Sequence, residues 1–253
     1  MTYILKYYFS IAFLLCSFLT FAQSEKTLPL PATVKDSIVP KKERYGLRVG
    51  VDVFRLARSV YDKDYKGVEF TGDYRWNRKY YLAAEIGNEN KTTDEVQLNF
   101  TTKGTYVKFG FDYNTHENWL NLENMIYVGL RYGISTFSQE LNSYSVYNPN
   151  PYFGENTFVD VSQKYNGLSA QWGEVVAGMK TQVLPNIFVG FSFRMNRMFT
   201  NKSPEGFENL YVPGFNRTYD GGFGVGFNYT VSYFVPLYKK KVAEKKKEEA
   251  KKK

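Results

Sequence analysis

Cysteine and histidine are almost missing from this chain: Cys16 and His116 are single occurrences in 253 residues. Cys16 falls in an apolar run near the N-terminus, so the remainder holds no thiol. That excludes a disulfide framework, thiolate chemistry and Cys/His metal clusters, and no cofactor is expected. Long apolar segments are also lacking. Beyond the first 22 residues nothing approaches the roughly 20 apolar residues that a membrane-spanning helix needs. Net charge on the body is small as well. The formal total is +8, but the tail Lys239–Lys253 holds nine Lys and three Glu, and Lys6 lies in the N-terminal run. What is left is close to neutral. A nucleic-acid binder carries its positive charge on the folded face that meets phosphate, so nucleic acid is excluded as a partner. The run "KKKVAEKKKEEAKKK" reads as a solvated tail.

"MTYILKYYFSIAFLLCSFLTFA" places Lys6 before an apolar stretch, then ends on small residues at the positions a signal peptidase reads. Residues 1–22 are therefore expected to be a signal peptide cut near Ala22 after Sec-type export. Leu15 before Cys16 argues against a lipid anchor. Residues 23–43, with Pro29, Pro31 and Pro40 and no periodicity, read as a flexible linker in the periplasm.

Aromatics are what the chain has in excess: 22 Tyr and 21 Phe, with aromatics at 18%. They fall into a period-two pattern that recurs about eight times between residues 44 and 238. The expected strands are Arg44–Leu56, Lys66–Trp76, Tyr80–Gly87, Thr105–Tyr113, Met125–Phe137, Leu168–Gln182, Ile187–Met198 and the final Gly221–Lys241. In the last, Phe223, Val225, Phe227, Tyr229, Val231, Tyr233 and Val235 alternate with Gly222, Gly224, Gly226, Asn228, Thr230 and Ser232. "VQLNF" (Val96–Phe100) and "TFVDV" (Thr157–Val161) read as extensions of neighbouring strands, although ten strands would result if they paired separately. Connections alternate between short ("NRK", "LPN", the medium "NTHENWLNLEN") and long: Ala57–Tyr65, Asn88–Gly104, Ser138–Gly167 and Phe199–Asp220. Short periplasmic turns and long outer loops are the layout of an outer-membrane barrel, with the Lys-rich tail 239–253 in the periplasm.

Alternation does not say which face is inside. The apolar faces carry no Asp, Glu, Lys or Arg, as expected where a basic residue at mid-bilayer costs about 2–4 kcal/mol. Most strand glycines fall on the opposite face. The inside of an eight-stranded ring is only wide enough for side chains to fill it, so small residues belong there and bulky rings outside. Arg48, Asp52, Glu69, Asp73, Arg75, Glu85, Lys108, Asp112, Arg131, Glu174, Lys180 and Arg194 then face inward. Unpaired buried charge is costly, so these are expected to pair into a network that closes the lumen.

With its signal peptide, alternating loops and aromatic-rich last strand, the chain resembles the small eight-stranded outer-membrane barrels of the OmpA/OmpX type. More narrowly, it is similar to the uncharacterised outer-membrane-protein-like families of unknown function. The resemblance implies an all-β, eight-stranded antiparallel up-and-down transmembrane barrel over residues 44–238, a monomer in outer-membrane lipid. It also implies that the barrel assembly machinery reads the last strand near Tyr233, Phe234 and Tyr238.

Catalytic signals are weak. His116, in "NTHENW", is a lone loop histidine on the side of the short connections, whereas barrel enzymes use histidines near the outer rim. No enzyme is expected. "GFGVGF" continues as a strand and so cannot be a phosphate loop, which needs a helix after it. The outer loops offer Tyr144, Tyr147, Tyr152, Phe153, Tyr211 and Phe215 as contact residues for an unknown surface ligand. A small-solute or lipid-handling channel, and a soluble periplasmic barrel holding a lipophile, stand as alternatives.

Overall fold

The computed structural model describes residues 41–95, 97–116, 123–146, 152, 157–204 and 209–242. Eight strands form a closed antiparallel ring: β1 (Lys41–Asp52), β2 (Tyr65–Arg75), β3 (Tyr80–Glu95), β4 (Leu98–Asn114), β5 (Met125–Val146), β6 (Thr157–Leu184), β7 (Ile187–Asn201) and β10 (Phe223–Val242). Each pairs with its neighbours in the chain, and β10 returns to β1. Two two-residue strands, β8 (Tyr211–Val212) and β9 (Asn216–Arg217), make a small hairpin within the β7–β10 connection. The ring is the expected eight-stranded up-and-down barrel. Leu98–Phe100 and Thr157–Val161 are the outer ends of β4 and β6, so ten ring strands do not occur.

The register fixes the shape of the ring. From Val51 one way round, pairing passes Phe70, Ile86, Val107 and Ile134 to reach Gln171 on β6. The other way it passes Val231 and Val189 to reach Thr181 on the same strand. The ring therefore closes with a stagger of ten residues. With a rise of about 3.3 Å and strands about 4.8 Å apart, that tilts the strands by about 40°.

Alternation sorts the two faces as expected. Phe109, Phe191 and Phe227 are 51%, 39% and 48% exposed on the outside. The inward residues include the expected glycines. At Gly133 a Cβ would overlap the Trp172 ring, and at Gly87 the Tyr106 ring, so each glycine makes room for one large ring opposite.

Four expectations about strands and loops need correction. The first strand does not reach Leu56. It ends at Asp52, whose carboxylate accepts from the amides of Phe54 (2.9 Å) and Arg55 (3.4 Å), and helix α1 (Val53–Tyr61) follows. Val53, Leu56, Ala57 and Val60 repeat at helical spacing, an overlap with the alternation of Val49, Val51 and Val53 that hid the change of period. Second, Asn88–Gly104 and Ser138–Gly167 are mostly strand, not loop: β3 pairs with β4 out to Glu95↔Leu98, and β5 with β6 out to Val146↔Thr157. Their outward residues there are polar (Asn88, Asn90, Thr92, Asp94), so the pairing continues where the hydropathy signal stops. Third, Lys41–Glu43 and Lys239–Val242 lie in paired strand, which shortens the expected linker and tail at their barrel ends. The fourth concerns the loop aromatics and is taken up with the site. Residues 1–40 and 243–253, which carry the signal-peptide reading and most of the tail, lie outside the described residues.

Helix α1 takes the place of a strand. Because β1 stops at Asp52, Phe223–Tyr229 of β10 and Tyr65–Glu69 of β2 have no β1 partner. The helix fills this notch. Ser59 Oγ accepts from the Gly67 amide (2.7 Å) and bonds the Gly67 carbonyl (3.0 Å), satisfying the free edge of β2. Phe54 packs on Phe227, with ring centroids 5.0 Å apart. Arg55 turns inward and is buried, while Val53, Leu56, Val60 and Tyr61 stay exposed.

Candidate functional site

The barrel interior is a column of ion pairs. At the end of the short turns, Glu43 bonds Arg75 (2.8 Å) and Arg78 (2.7 Å), and Arg44 bonds Glu123 (2.8 Å). Arg75 thus belongs to the rim rather than to the inner network in which the sequence placed it. One level in, Asp73 takes both Arg48 (2.7 Å) and Lys180 (2.6 Å). Arg48 lies over the rings of Tyr81 and Phe188, and Lys180 over Tyr127.

The middle level joins the most partners. Glu85 and Arg194 meet fork to fork at 2.6 and 3.0 Å. Glu174 accepts from Arg194 (3.1 Å) and from the Trp172 indole (2.7 Å), and pairs with Lys108 (3.1 Å). Arg131 bonds Asp112 (2.7 Å) and approaches Glu85 (3.6 Å). Above it, Glu69 accepts from Tyr106 (2.6 Å) and Asn228 (2.7 Å), and Asn228 also donates to Asp52 (2.6 Å). Glu69 and Asp52 each lie 3.4 Å from Arg55. The sequence-predicted charges are therefore brought together, Arg75 excepted.

Two members were missed. Arg55, at the outer end of the expected first strand, and Glu89, in a segment read as a polar connection, are both buried. Glu89 gathers the outer mouth: it pairs with Arg55 and accepts from Tyr65 (3.0 Å), Tyr211 (2.8 Å) and the Gly214 amide (3.1 Å). Burial pushes the phenols of Tyr65 and Tyr211 above the usual range, so both stay protonated as donors. One carboxylate on β3 thus ties down α1, β2 and the β8–β9 hairpin. The signal that could have found Arg55 is the helical spacing around it.

The loop aromatics divide. Tyr211 and Phe215, expected as surface contacts, are instead 3% and 0% exposed, because the β8–β9 hairpin folds down into the barrel mouth. Phe215 meets Trp172 edge-on at 5.8 Å and joins Tyr106, Phe137, Leu168 and Val212 in an apolar lid above the ions. Tyr144 and Tyr152 are exposed. Tyr147 and Phe153 lie outside the described residues. His116 is exposed at the end of the short turns.

Beside the hairpin, a cleft of about 370 Å³ opens between the outer ends of β3 and β4 and residues 210–219. Lys91, Arg217, Tyr211 and Tyr219 line it. Burial, with Arg58 and Arg217 nearby, holds the Lys91 ammonium below the usual lysine range. Among the described residues no group of three or more His, Cys, Asp or Glu is arranged to hold a metal ion.

Residues 4–240 match the family described as domain of unknown function DUF6048. The chain belongs to that family. No curated protein matches it. Among solved structures it is similar to Ail, the attachment invasion locus protein of Yersinia pestis, at 14% identity and a TM-score of 0.38. The alignment covers 76% of this chain and 97% of that one. A second structure of Ail, in complex with the heparin analogue sucrose octasulfate, aligns over the same shares at 12% identity and a TM-score of 0.37. Likeness at that level says nothing about the use to which this DUF6048 barrel is put.

Proposed function

We propose that the chain is a non-enzymatic integral outer-membrane protein: a barrel closed by its own charged interior, presenting its outer mouth for surface contact. The observation that carries this is the inversion of the two faces. Fully buried Glu69 and nearly buried Glu174 lie inside, while half-exposed Phe, Val, Leu and Ile rings and chains form the outer wall. In water such a wall would be an adhesive apolar surface far larger than a monomer carries. In lipid it is the required one. The outward apolar runs fit the thickness. Ile126–Ile134 on β5 and Ile187–Met195 on β7 each span nine residues, against about 9–11 for a tilted transmembrane strand.

In this reading residues 1–22 are the export signal, the assembly machinery reads β10, and the chain ends, with the Lys-rich tail, lie in the periplasm. In the same reading the protein works as a monomer in outer-membrane lipid. A lumen filled with paired side chains under an apolar lid supports a sealed barrel over a channel. A lipophile-binding soluble barrel would need the reverse sorting of faces. The test is fractionation with gel migration before and after heating. Detergent-dependent extraction and a heat shift are expected, and recovery in salt without detergent would overturn membrane insertion. Steady large conductance in planar bilayers would overturn the sealed lumen.

A further inference from the structure

Helix α1 carries its own inversion of faces. Arg55 and Ser59 point to the lumen and to the edge of β2. On the opposite side Val53, Leu56, Ala57 and Val60 form one apolar stripe at spacings of three and four. A helix on a water-soluble protein turns such a stripe to its core. Here all four residues are exposed, Val60 at 89%. The stripe carries no charge: Arg58 is drawn aside onto the Tyr65 ring, 4.1 Å from the centroid, and to Asp62 at 3.1 Å.

The neighbours fix the height of the helix. On its β10 side the wall stays apolar past the end of β1, where Tyr229, Phe227, Val225 and Phe223 are each about half exposed. Phe54 packs on Phe227 and Tyr229, at 5.0 and 6.4 Å between centroids. On its β2 side Val68 pairs with Asn88 and Lys66 with Asn90, so polar residues begin there. Beyond Tyr61 the chain turns polar at once, with Lys63 and Asp64 exposed. The helix therefore starts within the apolar belt and ends at its outer border. Nine residues rise about 14 Å, close to half of a hydrocarbon core about 30 Å thick.

We propose that α1 lies in the outer leaflet as one stave of the barrel wall, its Val53–Leu56–Ala57–Val60 stripe covered by lipid acyl chains and Tyr61 at the headgroup level. The proposal rests on the reading of the protein as membrane-inserted and names the partner of a surface that no strand provides. The occupant follows from continuity. Acyl chains that cover Phe223, Val225 and Phe227 meet the helix beside them. A helix also suits this place chemically, because its backbone bonds are internal and hydrocarbon tolerates it where a bare strand edge would be costly. In water the stripe would gain nothing from its exposure. A second copy docked on four short side chains would bury far less than the roughly 800 Å² per partner of a stable interface. Tyr61, 67% exposed, has an apolar ring and a polar tip, as residues at a membrane border do.

The experiment is nitroxide labelling of single cysteines in the full chain carrying Cys16→Ser, folded into phosphatidylcholine vesicles. Val53→Cys, Leu56→Cys and Val60→Cys report on the stripe, Val225→Cys on the strand wall and Lys63→Cys on the connection beyond the helix. Each label is read by its relaxation with oxygen, which concentrates in hydrocarbon, and with a nickel chelate, which stays in water. Every chain is first checked for an intact gel heat shift, and the three helix positions are independent, so loss of one leaves the others to decide. The oxygen-to-nickel ratio at the stripe is expected to be severalfold higher than at Lys63→Cys and to fall from Val53→Cys to Val60→Cys. Stripe labels that follow Lys63→Cys while Val225→Cys reads lipid would overturn the proposal and leave membrane insertion standing. Nickel access at Val225→Cys as well would remove the membrane reading, and the proposal with it. Stripe labels shielded from both reagents, with spectra broadened by a neighbouring label, would mean that a second copy covers the helix and would also overturn it.

Discussion

Arg194→Met is the sharpest probe of the interior. Arg194 holds Glu85 through two parallel bonds of 2.6 and 3.0 Å and Glu174 through a third of 3.1 Å, all at sites almost free of solvent. Removing one partner of a buried ion pair typically costs about 3–5 kcal/mol, because the other charge is left uncompensated. Here the loss belongs at the lower end, about 3 kcal/mol, since neither acid is stranded. Glu85 keeps Lys108 at 3.8 Å and Arg131 at 3.6 Å, and Glu174 keeps Lys108 and the Trp172 indole. With a urea dependence of about 2 kcal/mol per molar, the unfolding midpoint should fall by about 1.5 M. Urea titration in detergent, read by the heat-shifted gel band, measures this. Glu85→Gln in the same chain should restore a large part of the loss, and the coupling from the four proteins is expected to exceed about 1 kcal/mol. A midpoint shift under 0.5 M for Arg194→Met, which is about 1 kcal/mol at that slope, would refute the idea that the column of ions is tightly interdependent.

Three further outcomes follow from the same geometry. Ser59→Ala leaves the Gly67 amide on the free edge of β2 without its acceptor, so a loss of about 1–3 kcal/mol and fast amide exchange at Gly67 are expected; retained protection there would show that the helix does not seal the notch. Val107→Arg on the outer wall should cost about 2–4 kcal/mol for folding into lipid vesicles, whereas Lys103→Gln, four residues further out on the same face, should change little. Because burial holds the Lys91 ammonium below the usual lysine range, the unfolded chain binds more protons between the depressed and the ordinary value, and stability rises with pH across that window; Lys91→Gln should flatten this rise in urea midpoints taken across the window, and an unchanged slope would refute the assignment to Lys91.

That some of this is legible in the residues and the rest is not has a physical cause. Lipid demands an apolar residue at every second position only across its own thickness. Within that band the strands read plainly, from Leu82–Ile86 to Phe223–Val235. Above it, water accepts Asn88, Asn90 and Thr92 as readily as anything else, so the hairpins continue unseen. The inward charges were legible as a set because they alternate with the wall residues. Their pairing was not, because it joins positions far apart in the chain, such as Asp73 with Lys180 or Glu85 with Arg194. Tyr211 and Phe215 were misread because an aromatic in a polar loop looks the same whether it points to solvent or down a barrel. The clue was the "YVPGFN" turn, where Gly214 has φ +83° and stands against the Tyr106 ring, a place no side chain would fit.

The stagger of ten also bears on how the barrel is sealed. For a fixed number of strands, a larger stagger gives more tilt and a wider ring, and a wider ring needs longer side chains to fill it. The long side chains that this interior supplies are Arg, Lys and Glu, whose charges must then be paired to stay buried. Where the ions end at Glu69 and Glu89, the filling changes to rings, with Tyr106 and Trp172 laid over the glycines they pair with on the neighbouring strands, Gly87 and Gly133. The β8–β9 hairpin then brings Val212 and Phe215 down on top. Sealing is therefore achieved twice, by ions in the middle and by an apolar lid at the mouth, joined through Glu89. The two layers rest on different interactions, one weakened by losing a charge and the other by losing a ring. No single substitution in either layer leaves an open path through the other.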